Sequence, residues 1–187
     1  MRSWVPVSAA LAPLALIGGW TVAASRQPRA YDPVTDTISA LAAGDATDPW
    51  VMTLALAAVG GAHVATAVGL TEAGLPARAV LGAGGVATGL VAVFAQPSAG
   101  HFPAAAVSFV TLAGWPALSG LPTRRGGRLA AAGLLALVGW LGVELARDQW
   151  VGLVERVAAG AQALWPLVVV VALTSRRRVS PSGTPRA

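Results

Sequence analysis

His101, Asp36, Glu144, Asp148, Glu155 and Arg156 are the residues of this chain whose types could do chemistry together. An imidazole beside carboxylates and a guanidinium can carry out general acid–base catalysis or metal-assisted hydrolysis. In that role His101 would work with Asp36 or Glu155, and these three are the catalytic candidates. No nucleophile–base spacing is recognisable among them, so two other readings stand beside the enzyme. One is a binding pocket, in which Tyr31, Asp36, Thr37, Ser39, His101, Glu144 and Arg156 present hydroxyls and charges to a ligand. The other is an ion-pair network that ties the segment around Asp36 to the last two apolar stretches. With two histidines and no cysteine, thiolate sites, disulfides and cysteine nucleophiles are excluded. A metal site would need carboxylates to complete it, and neither a metal nor a cofactor is expected.

The elements that would position these residues are membrane spans. Of 187 residues, 55% are hydrophobic and 11% are charged, where a soluble domain carries about 25% charge. A span needs roughly 20 mostly apolar residues. Six stretches qualify: 4–24, 50–70, 76–94, 102–121, 129–146 and 152–174. The expected fold is therefore all-α, a bundle of six transmembrane helices over 1–175, with a polar, Pro-containing and disordered tail over 176–187. Asp48-Pro49 reads as an N-cap followed by a first-position proline, and Pro76 and Pro103 open spans in the same way. Pro13, Pro116 and Pro166 fall inside spans. Arg2, the apolar run after it and Val22-Ala23-Ala24 also fit a signal peptide loosely. That run exceeds the 7–15 residues of a signal h-region, which favours an uncleaved first span.

All thirteen basic residues are arginines. Six spans put the N-terminus, the second and fourth connections and the C-terminus on one side. That side carries Arg2, Arg78, Arg124, Arg125, Arg128, Arg176, Arg177, Arg178 and Arg186, against Arg26, Arg29, Arg147 and Arg156 opposite. The positive-inside rule then expects both termini in the cytoplasm and, from the Arg- and Ala-rich composition, a bacterial plasma membrane. Short clusters of arginine between apolar runs are not a nucleic-acid-binding face, and no nucleic acid is expected as a partner. The lipid bilayer is the expected partner, with a small molecule or lipid as ligand; the oligomeric state is left open. The outer side collects Asp32, Asp36, Asp45, Asp48 and Asp148, with Glu144 and Glu155 near it.

Within the first outer segment, Thr35 or Asp36 can cap a short helix whose Ile38, Leu41 and Ala42 share a face and which Gly44 ends. Such a piece would lie on the surface or tuck into the bundle mouth. Glu155 and Gln162, seven apart, share a helix face. His63 lies deep in the second span and is expected to be neutral and hydrogen-bonded to a neighbouring helix. A proton relay there would want further ionisable groups at the same depth, and none is apparent. Gly85 and Gly89 form a GxxxG, expected to serve packing within the bundle. Gly82-Ala83-Gly84-Gly85-Val86-Ala87 matches a relaxed dinucleotide fingerprint but sits in an apolar span with no acid downstream, and is rejected. Trp4, Trp50 and Trp150 stand at span ends as interfacial anchors, whereas Trp20, Trp115, Trp140 and Trp165 are expected in packing.

The segments YDPVTDTISALAAGDATDPWVMT (31–53), QPSAGH (96–101) and GLVERVAAGAQALWPLVVVVAL (152–173) resemble the bacterial family catalogued as domain of unknown function 998. The resemblance runs from the first span to the last. It implies a six-helix plasma-membrane protein and no particular activity. By matching position, the family-like polar residues are Tyr31, Asp36, Ser39, His101, Glu155 and Arg156.

Overall fold

The computed structural model describes residues 1–28 and 30–179, with the side chains of 177–179 left aside. Arg29 and the tail from 180, Arg186 included, lie outside the described residues. Six helices carry the chain: α1 (Val5–Ser25), α2 (Trp50–Gly69), α3 (Gly74–Val93), α4 (His101–Ser119), α5 (Arg124–Arg147) and α6 (Val151–Val179). Two short 3-10 turns, Ser39–Ala42 and Thr71–Ala73, interrupt the connections, and no strand occurs among the described residues. All six helices are long and apolar enough to cross a membrane. The protein is an all-α, multi-pass integral membrane protein.

Consecutive helices pack side by side, and α6 closes the ring against α1 while also touching α4 across it. An even number of alternating helices puts the start of α1 and the end of α6 at one end of the bundle, called here the terminal end. There the Arg2 N–H donates to the Gly69 carbonyl and Arg78 caps α2 by donating to the Ala67 and Val68 carbonyls at 2.7 Å each. The opposite end carries the long first loop, 26–49.

The outer surface is apolar, unlike that of a water-soluble globule, and some polar side chains are buried. Val7, Leu14, Leu75, Val93 and Phe102 stand outward, each about 70% exposed, whereas His63, Thr66, Thr88, Ser108, Glu155 and Gln162 are buried. Lipid tails are as apolar as leucine, so packing and hydrogen bonds between helices hold the bundle, not hydrophobic contrast. Ser8 and Thr66 pair at 2.8 Å between α1 and α2. Thr88 and Ser108 pair at 2.7 Å between α3 and α4, and Gln162 donates to the Phe109 carbonyl from α6 to α4.

Small residues let α2 and α3 touch backbone to backbone. A Cβ on Gly60 would stand 2.6 Å from the Gly85 oxygen, and one on Gly85 2.7 Å from the Gly60 oxygen. The GxxxG of Gly85 and Gly89 thus faces α2 inside the bundle. Trp4, Trp50 and Trp150 are exposed at helix ends, and Trp115 is fully buried. Trp140, expected inside, is instead 39% exposed.

Three local expectations are revised. Asp48 does not cap α2: the Pro49 N-cap position lacks a side-chain bond, because the Asp48 carboxylate is taken by Arg26 at 2.8 Å and the Trp50 indole at 3.2 Å. Helix α5 begins at Arg124, well before the apolar stretch at 129, because Thr123 accepts the Gly126 N–H and starts it there. Residues 176–179, expected to belong to the tail, continue α6.

Candidate functional site

Loop one folds down onto the start of α6. The first N–H groups of a helix have no partner within it, and the Leu153 N–H is met by the Val34 carbonyl at 3.0 Å. One turn deeper, Arg156 donates through Nη1 to the carbonyls of Pro33 and Asp36 at 2.8 Å and of Gly152 at 2.9 Å. Its Nη2 donates to the Tyr31 hydroxyl. The neighbouring Glu155 faces inward and accepts the Ile38 N–H and, at 3.3 Å, the Ser39 hydroxyl. A buried carboxylate is tolerable only when hydrogen-bonded, and loop one supplies those donors. Gly152 is required for this approach, since a Cβ there would stand 2.1 Å from the Asp36 oxygen.

The tie between loop one and α6 is therefore built on backbone carbonyls and N–H groups. No ion pair joins it among the described residues; the ion pairs found are Met1–Glu72 and Arg26–Asp48. The ion-pair network expected to reach α5 as well is corrected on that point. Glu144 is buried on its own hairpin, where it accepts from the Trp140 indole and the Trp150 N–H at 3.3 and 3.4 Å. Asp148 closes α5 in the left-handed region, with φ of 55°.

Asp36 does not cap the short turn. Its carboxylate accepts the Asp32 N–H at 2.8 Å, and the capping oxygen is that of Thr37, which accepts the Ala40 N–H at 3.0 Å. The turn tucks Ile38, Leu41 and Ala42 into the bundle mouth, where all three are buried among Met52, Leu56 and Val91. Tyr31 is half-buried against Arg156. Burial raises the pKa of its hydroxyl, and the Arg156 charge opposes that rise.

Beside the turn, a cavity of about 210 Å³ opens between α4, α5 and α6. Its polar end is Thr37, Ser39, Gln96, His101 and Glu155, and its walls are Phe102, Phe109 and Val110 of α4 with Val138, Leu141 and Leu145 of α5. Phe102, Val110 and Leu145 are exposed on the outer surface of the bundle, so the cavity is a lateral crevice. His101 opens α4 and its Nδ1 lies 2.9 Å from the Phe94 carbonyl. A carbonyl only accepts, so Nδ1 carries the hydrogen, and in the neutral ring Nε2 remains an acceptor. Of the residues singled out from sequence, Thr37, Ser39, His101 and Glu155 meet at this crevice; Tyr31, Asp36, Glu144 and Arg156 do not line it.

A second, smaller cavity of about 60 Å³ lies inside the bundle, lined by His63, Thr88, Ser108, Gln162 and Glu155 among apolar neighbours. His63 is not bonded to a neighbouring helix as expected: neither ring nitrogen has a protein partner. Each unmatched buried group costs about 1–3 kcal/mol. Thr88 and Ser108 went unnoticed in the sequence because isolated hydroxyls in apolar spans carry no motif.

No curated protein and no solved structure matches the chain. A family model, described as Protein of unknown function (DUF998), matches residues 10–172, from within α1 to within α6. By that match over most of its length, the chain belongs to the DUF998 family, whose function is unknown.

Proposed function

We propose that this protein sits in a bacterial plasma membrane with both termini in the cytoplasm, and that it binds or moves an amphipathic small molecule or lipid through the crevice between α4, α5 and α6. The observation that carries this reading is the crevice's polarity: hydrogen-bonding groups at its loop-one end, and apolar walls open to the bilayer. Ligand sites of this kind are mostly apolar with a few placed polar groups. A lipid chain would lie along Phe102, Val110 and Leu145 while its head reached Thr37, Ser39, His101 and Glu155. The positive-inside distribution of arginine supports the orientation.

The test is photolabelling of the purified protein in nanodiscs with a diazirine-bearing fatty acid. Label is expected on peptides containing Phe102 and Leu145, competed by unlabelled lipid and lost in Ala106→Trp, which fills the crevice from an exposed position. Label spread evenly over the bundle and unchanged in Ala106→Trp would remove the reading. A second reading, a hydrolase or transferase acting on lipid, draws on His101 and Glu155 lining one crevice; Asp36, held by the Asp32 N–H, is not needed for it. In that case His101→Ala abolishes turnover of a lipid ester while thermal stability stays unchanged.

A further inference from the structure

The smaller cavity adjoins the crevice and shares a wall with it: Ser39, Ala105, Phe109 and Glu155 line both. At 1.5 Å per residue, Glu155 lies about 6 Å along α6 from its loop-one end and His63 about 20 Å along α2. Between those depths the wall carries Thr88, Ser108 and Gln162. His63 is 1% exposed and both of its nitrogens lack protein partners. A neutral imidazole offers one donor and one acceptor, and buried groups of that kind are matched by protein or by water. The wall is mostly apolar, but Thr88, Ser108 and Gln162 supply polar partners, and a cavity of this volume has room for more than one water.

We infer that this smaller cavity is a hydrated proton site, in which water joins Glu155 to His63 and His63 takes up protons from the loop-one side. Glu155 from α6 and His63 from α2 are the titratable groups on its wall. Among its lining residues α1 contributes only Leu16, α3 and α4 only apolar groups beside the hydroxyls of Thr88 and Ser108, and α5 nothing. Arg156, next to Glu155, is turned away to the carbonyls of loop one. In the transfer, a hydronium ion on the loop-one side gives a proton to the Glu155 carboxylate and is left as water. That O–H then breaks, cavity water carries the proton to a bare nitrogen of His63, and an imidazolium forms as the carboxylate is restored. The site does not require a ligand in the crevice.

The test uses the full chain in nanodiscs with isotope-labelled histidine; His101→Gln tells the two ring signals apart. His63 is expected to show magnetisation transfer from water, and Glu155→Gln, whose amide oxygen can still accept the Ile38 N–H while its NH2 donates to the Ser39 hydroxyl, to slow proton exchange at His63 several-fold. A His63 ring without water contact overturns the hydrated site, and exchange as fast in Glu155→Gln as in the unaltered protein overturns Glu155 as the way in. Because the chain has no cysteine, silver-ion reaction with His63→Cys in sealed vesicles is an independent readout. Reaction from the loop-one side, with the outward-facing Gly61→Cys silent, supports the proposal; reaction from the terminal side alone, or none, refutes it.

Discussion

Arg156 holds loop one through two carbonyls and one hydroxyl while also donating to the Gly152 carbonyl of its own helix, a pattern that only a planar guanidinium with several fixed donors can serve at once. Arg156→Lys keeps the charge but reaches fewer of these oxygens. It is expected to lower stability by about 1.5–3 kcal/mol, the range for a hydrogen bond to a charged group. Thermal unfolding in detergent reads this directly, with faster protease cleavage in 30–37 as the local signature; an unchanged midpoint would mean that the clamp is dispensable. Tyr31, the one tyrosine of the chain, gives the clamp a private spectroscopic probe. Burial raises its pKa, so its neutral form stabilises the fold. That stability is fully present below the unfolded value of about 10 and is lost as pH rises through the higher folded value. The tyrosinate absorbance is expected to appear later in the folded protein than in denaturant, and loop one to loosen with it. A normal titration in the folded state would place Tyr31 in solvent.

Between elements, the decisive contacts are close backbone approaches. The Gly152→Ala methyl would run into the Asp36 oxygen of loop one, backbone that cannot swing aside, and is expected to cost about 1–3 kcal/mol by overpacking. Gly61, on the face of α2 that meets nothing, is the matched control. Gly61→Ala should be neutral or stabilising by up to about 1 kcal/mol through helix propensity. Equal effects at the two positions, measured by thermal unfolding, would show that loop one does not rest on α6 at all. Helix α5 was hard to delimit from hydropathy, because its first turn is arginine-rich and its start is set by Thr123. The short turn in loop one was easier: Ile38, Leu41 and Ala42 at helical spacing marked its buried face. Which oxygen capped it was not, since Thr35, Asp36 and Thr37 are all competent residue types and only the docking on α6 selects Thr37.

For the whole molecule, the arginine distribution predicts the side on which the ends lie. A protease-sensitive tag after Ala187 is expected to survive protease treatment of intact cells and to be cut in inverted vesicles; cleavage in intact cells would reverse the orientation. Six long apolar stretches, their alternation and the arginine-rich ends were legible from residue order alone, because length and polarity suffice to decide what crosses about 30 Å of hydrocarbon. Which face of each helix turns inward was not. In lipid the outside of a bundle is as apolar as its core, so hydrophobic periodicity marks no inner face for Thr88, Ser108 or His63. Their convergence on one cavity, and the crevice between α4 and α5, come from helix rotations and backbone approaches between residues far apart in the chain, which packing alone sets.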